Sequence, residues 1–105
     1  MKHFLVLGVA GRQIDTIYRY SRKRWGETQA QKYVSGLFDC FQRIADKQVI
    51  WQSIPPEFAV EGYVTRYEKH FIFWRVLPSG NVGIFSVLDQ RMDVGSHLPS
   101  DAQKT

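Results

Sequence analysis

The chain has one cysteine, four prolines and three histidines in 105 residues, and no apolar run of membrane-spanning length. Each shortage excludes something. A lone Cys40 forms no internal disulfide, which removes the stapled secreted mini-proteins and fits a reducing compartment. No second Cys or His stands at metal-ligand spacing, so no metal site is expected. The apolar stretches fall far short of the roughly 18 residues of a membrane span, and the opening Met1–Gly8 is too short in apolar residues for a signal peptide. A cytoplasmic protein with no membrane contact is therefore expected. Gly8 and Gly11 are too few and wrongly framed for a phosphate-binding loop. Repeats, low-complexity segments and interdomain linkers are also missing.

What is present is ordinary globular material. Hydrophobic residues make up 44% and charged residues 23%, which argues against a disordered chain. The length suits one domain, with roughly 65% of its unfolded surface buried on folding. Seven Phe, five Tyr and three Trp make the core aromatic, and the net charge is +4.

Lys2 to Leu7 reads as a short first strand. From about Ala10 the period changes: Ile14, Ile17, Tyr18, Ser21 and Trp25 mark one face of a helix, which Gly26 stops. A second helix starts at once, opened by Thr28 with Gln31 as a capping box or by Glu27 in the first turn. Ala30, Tyr33, Val34, Leu37, Phe38, Phe41, Ile44 and Ala45 keep its three-four rhythm. So short a connection folds the helices into an antiparallel hairpin. Asp46 to Glu61, with Ile54-Pro55-Pro56, reads as loop. Three strands follow at Gly62–Tyr67, His70–Leu77 and Val82–Leu88, the last two joined by the turn Pro78-Ser79-Gly80-Asn81. The middle one is apolar enough to be covered on both faces. The expected fold is α+β, in the order β-α-α-β-β-β. An N-terminal strand and an antiparallel helical hairpin pack on a small antiparallel sheet. Residues 1–98 form the domain, and 99–105 are a polar, fraying tail.

Certain words stand out in this order: Tyr20 with Arg24-Trp25-Gly26, Gln29-Ala30 and Tyr33 in the hairpin, then Lys69-His70 with Ile72-Phe73-Trp74-Arg75. Val87-Leu88, Gln90-Arg91-Met92-Asp93 and His97-Leu98 complete the set. The chain so resembles the ParE branch of the RelE/ParE toxin superfamily, from the first strand to His97. It departs from the usual pattern at Gln13, where an acidic residue is common, and at Asp89, where His is common. The resemblance implies the toxin of a type II toxin–antitoxin (plasmid-stabilisation) module. Such a toxin inhibits DNA gyrase, traps cleaved DNA and blocks replication until a ParD-like antitoxin neutralises it. It implies no enzyme and no cofactor, and DNA met only through gyrase or the antitoxin. The alternatives are a RelE-like ribosome-dependent messenger RNA endoribonuclease, and a weakened toxin serving mainly as antitoxin partner and co-repressor.

The site residues divide accordingly. An RNase needs a base for the ribose 2′-OH, an acid for the leaving oxygen and cations for phosphate. Arg66, Tyr67, Lys69, His70, Arg75, Arg91 and His97 are the candidates, although the bland reading of His70 is structural and that of Arg75 is a stem laid over a neighbouring ring. The antitoxin groove is expected to be bordered by Tyr18, Arg22, Trp25, Tyr33, Leu37 and Arg75, with Trp25 and Tyr33 packed in the core by default. Arg91, Met92, Asp93 and His97 are the candidates for the gyrase-facing surface, against a reading in which Met92 and Leu98 staple the tail. Arg19, Arg22, Lys23 and Arg24 crowd the end of the first helix, where its dipole favours cations. An acidic antitoxin segment is the expected partner of that stripe, ahead of DNA. Cys40 is expected to be a half-buried, inert thiol beside the apolar face of the second helix.

Overall fold

The computed structural model of the chain describes residues 3–104. The expected strand start at Lys2 and the last residue of the tail, Thr105, lie outside the described residues. In order come β1 (Phe4–Val6), α1 (Gly8–Trp25), α2 (Glu27–Ala45), β2 (Gln52–Ser53), a 3-10 turn (Pro56–Phe58), β3 (Tyr63–Tyr67), β4 (His70–Val76), β5 (Val82–Asp89) and α3 (Val94–Gln103). The fold is α+β, as the patterning implies. The five strands form one sheet in the order β1-β5-β4-β3-β2. Neighbours from β2 to β5 are antiparallel, whereas β1 joins β5 in parallel, with Val6 opposite Ile84.

The helical hairpin turns where glycine permits it. Gly26 sits at φ 96° and its N–H donates to the Arg22 carbonyl at 2.9 Å, closing α1. The Gly26 carbonyl then accepts from Ala30 N–H at 3.1 Å to open α2. Glu27, rather than Thr28, begins α2, and Gln31 Nε2 donates to its carboxylate at 3.1 Å.

One face of the sheet carries the hairpin. Ala10 and Ile14 of α1, and Leu37, Cys40, Phe41, Ile44 and Ala45 of α2, pack on Ile72, Trp74, Val82, Ile84 and Val87. Burying an aliphatic or Phe side chain of this kind contributes about 1.5–3 kcal/mol. The other face is covered by the loop and the tail, through Ile54, Phe58 and Leu98 against Phe73, Phe85 and Leu88. β4 is therefore sandwiched, as its apolar run requires. The strands β4 and β5 slip register between Phe73 and Trp74, which pair with Ser86 and Ile84 and leave Phe85 as the extra residue of a bulge.

Two expectations are corrected. The segment 46–61 is not wholly loop, since Gln52 and Ser53 pair with Val64 and Tyr63 and Pro56–Phe58 make a helical turn. The tail does not fray at Pro99. Asp93 caps α3 by accepting from Gly95 N–H, and the helix runs through Pro99 with Leu98 and Asp101 buried. A proline inside a helix costs about 3 kcal/mol; tertiary burial of those two neighbours offsets it.

Candidate functional site

Three segments meet at one end of the molecule. Register pairs Tyr67 with His70 across the β3–β4 turn and His70 with Asp89 across β4–β5. The turn closes with Glu68 in the left-handed region at φ 52°. Gln90 N–H donates to the Lys69 carbonyl at 2.8 Å. Arg66 spans the same place, its Nη2 donating to Gln90 Oε1 at 2.6 Å and its Nε to the Glu68 carbonyl at 3.0 Å. Arg91 Nε donates to Asp89 Oδ1 at 3.1 Å, and the Tyr20 hydroxyl of α1 lies beside the same guanidinium. That hydrogen bond to Arg91 holds the Asp89 carboxyl below its ordinary value.

α2 reaches the same end through Tyr33, whose Oη stands 2.6 Å from His70 Nδ1. Burial pushes the Tyr33 phenol up to about 12, so it keeps its proton. Burial also pushes His70 down, against the attraction of Asp89. Neutral His70 therefore accepts at Nδ1, Tyr33 donates, and the Lys69 backbone N–H bonds the phenol oxygen. The pair serves to lock α2 onto the β3–β4 turn.

Of the RNase candidates, Arg66, Tyr67, Lys69, His70 and Arg91 share this end. Arg75 does not. Arg75 pairs with Gly83 at the opposite end of β4, with its guanidinium carbon 5.1 Å from the Phe85 ring centroid, and His97 is exposed on α3. Among the gyrase candidates, Met92 is exposed. Asp93 is engaged in capping α3 and accepts from Ser96 Oγ at 2.7 Å.

The six antitoxin candidates do not line one surface. Tyr18, Arg22 and Trp25 stand near the α1–α2 turn, where Tyr18 donates to Glu27 and Arg22 lies 5.7 Å from the Tyr18 ring centroid. Tyr33 is half-buried, Leu37 is fully buried under the hairpin, and Arg75 is remote. Trp25 is not a core residue. It is 58% exposed, with the Arg24 guanidinium carbon 5.1 Å from its ring centroid. The buried face of α1 ends with Ser21, so the next position on the same face has no partner beneath it. Cys40 is buried, and burial pushes its thiol up. Among the described residues no cluster of His, Cys, Asp or Glu is placed to hold a metal ion, and no helix is long and apolar enough to cross a membrane.

Sequence reasoning missed two features. The first is a buried polar link: Asp101 Oδ2 accepts from Ser86 Oγ at 2.7 Å and from Gln13 Nε2 at 3.0 Å, while Gln13 Oε1 accepts from Val87 N–H at 2.7 Å. Gln13 stands out in the sequence only as a departure from the family pattern. The second is the sheet margin at β1. Phe4 packs edge-on to Phe41, its centroid 5.6 Å away, while Leu5 is 48% exposed and Phe38 of α2 is 39% exposed. Phe4 and Val6 pack with the helices, so alternation sends Leu5 to the other face of an edge strand.

The comparisons with known proteins agree with this architecture. A family model described as "ParE toxin of type II toxin-antitoxin system, parDE" matches residues 9–94. The Toxin ParE1 of Caulobacter vibrioides is 33% identical over 99 residues, covering 93% of this chain and 99% of that protein. The Toxin ParE1 of Mycobacterium tuberculosis is 29% identical over 100 residues, covering 90% of this chain and 96% of that protein. A solved structure titled "Chromosomal ParDE TA system from P. aeruginosa" superposes with a TM-score of 0.64 at 18% identity, over 85% of this chain and 96% of that one, a likeness of fold. With the family model covering most of the chain and end-to-end similarity to the Caulobacter toxin, the chain belongs to the ParE family of toxins of type II toxin–antitoxin systems.

Proposed function

We propose that this ParE-type toxin acts in the cytoplasm by binding DNA gyrase, trapping cleaved DNA and blocking replication, and that it is a binder rather than a nuclease. The observation that carries the choice is the state of His70. His70 is an imidazole at the basic end, the side chain best matched to proton transfer near pH 7. Its Nδ1 is taken up by Tyr33 at 2.6 Å, and burial holds the ring neutral. What that end offers a partner is cations and rings. The test is supercoiling of relaxed plasmid by gyrase with purified toxin, scoring lost supercoiling and accumulated cleaved DNA. Inhibition relieved by stoichiometric antitoxin is the expected result. Intact gyrase activity together with cut ribosome-bound message would instead install the endoribonuclease. A folded, antitoxin-binding toxin that leaves both untouched would be a weakened one.

The antitoxin we place on the margin of β1. A partner of ParD type, suggested by the parDE description of the family and the ParDE title of the similar structure, can add a strand to this edge. Leu5 on one face and Phe38 on the other would then take its apolar side chains. Leu5→Lys should weaken antitoxin binding at least tenfold in a calorimetric titration and leave the melting temperature within a few degrees. Unchanged affinity would return the groove to Tyr18, Arg22 and Trp25.

A further inference from the structure

Arg22, Lys23 and Arg24 crowd the last turn of α1, with Glu27 just beyond it, while Arg66, Lys69 and Arg91 stand about the β3–β4 turn and the end of β5 with Glu68 and Asp89. Two of those carboxylates are engaged within the molecule, Asp89 by Arg91 and Glu27 by the Tyr18 hydroxyl and Gln31. Cations outnumber carboxylates on these segments, in keeping with the chain's net +4. The end of α1 and the segment after β5 are neighbours, because the Tyr20 side chain interacts with the guanidinium of Arg91, and Gln90 is bonded to the β3–β4 turn. Two large rings near the end of α1 are exposed, Trp25 and Tyr20, the latter 56%. Both belong to α1, a rigid element whose last turn is closed by Gly26. The guanidinium of Arg24 beside the Trp25 ring lies within cation–π range and orients the indole.

We propose that the C-terminal end of α1 is a binding surface for single-stranded nucleic acid, with an unpaired base stacked on Trp25 and the phosphates held by Arg22, Lys23 and Arg24 and, past Tyr20, by Arg91. Exposed rings set among cations are the two components such surfaces combine, stacking on a π-face and tracking of the backbone by charge. An acidic peptide would use the cations and leave the flat indole without a matching face. A paired duplex would hide its bases from it. Nothing in this depends on gyrase being the target.

The experiment is fluorescence anisotropy of labelled twelve-nucleotide oligothymidylate and oligouridylate with the purified full chain, repeated between 50 and 200 mM salt. Binding is expected with a log–log salt slope of about −3, for roughly four phosphates at about −0.7 each. Trp25→Ala should weaken it at least fivefold and leave the slope unchanged. The double change Arg22→Ala and Lys23→Ala should lower the slope by about 1.4. These residues are exposed, so circular dichroism and the melting temperature should match the parent for every variant. Tighter binding of one oligonucleotide would assign the natural strand to DNA or to RNA. No binding to either at 50 mM salt would overturn the proposal. So would a glutamate dodecapeptide or a blunt duplex binding as tightly as the single strands, or indifference to Trp25→Ala.

Discussion

Gln13 is a residue that a family pattern makes look like a loss and the structure makes look like a fit. Its amide does two opposite things at once, accepting from Val87 N–H and donating to Asp101. A carboxylate in its place could accept from Val87 but would face Asp101 as a second anion. Gln13→Glu should cost about 1–3 kcal/mol in urea unfolding at pH 7, and Asp101→Asn in the same chain should recover most of it. If the two changes simply added, the link between α1, β5 and α3 would not be what Gln13 serves. His70 makes the second prediction at this scale. Burial lowers its folded pKa, so below the ordinary 6.5 the unfolded chain takes up a proton that the native state resists. Stability therefore falls as pH drops from 7 to 5 and is independent of this group above that window. Asp89 is shifted downward from 3.8 and contributes its own loss only at lower pH. His70→Gln should flatten the dependence of melting temperature between pH 7 and 5, and a slope equal to the parent's would assign the pH response elsewhere.

At the scale of elements, the seating of α2 on the sheet turns on a glycine. A glycine inside a helix is worse than alanine by about 0.5–1 kcal/mol, so Gly36→Ala would ordinarily stabilise. Here an added Cβ would lie 2.0 Å from the Tyr67 hydroxyl and 3.0 Å from the ring carbon that bears it. The ring of Tyr67 stacks edge-on to Tyr33 at 5.5 Å and is not free to swing away without disturbing the His70 lock. Gly36→Ala should therefore destabilise the parent chain and stabilise a Tyr67→Ala chain, an inversion of sign that thermal melts would show directly. None of this is written in α2's own pattern, which specifies a helix and its buried face and nothing about what crosses it. The helices α1 and α2 and the β4–β5 hairpin were legible because local rhythm and turn chemistry define them. The parallel seat of β1 on β5 was not, because its partner lies near the other end of the chain and pairing leaves no periodic trace. Trp25 failed in the opposite way: its spacing is that of a core residue, but α1's buried face has already ended at Ser21.

For the molecule as a whole, α3 decides whether the second face of the sheet is a core or an exposed apolar surface. The sequence hid it behind Pro99 and a polar run, and only its tertiary contacts explain why it forms. Leu98 is fully buried against the face that carries Phe73, Phe85 and Leu88, and Asp101 is the acceptor on which Ser86 and Gln13 depend. Ending the chain after Asp93 would remove both at once. Losing a buried leucine costs about 2–5 kcal/mol, and each polar partner left stranded adds about 1–3 kcal/mol. A domain of this size has only about 5–15 kcal/mol in hand. The shortened chain should lose its cooperative melt and bind a hydrophobic dye, so failure to inhibit growth would say nothing about which surface meets the target. Arg91→Ala with Met92→Ala in the intact chain separates the two questions, because both side chains are exposed and α3 stays in place. A cooperative melt with lost inhibition would give the segment after β5 to the target. Full inhibition by that variant would leave those residues no part in toxicity, and α3 would matter only as the cover of the sheet.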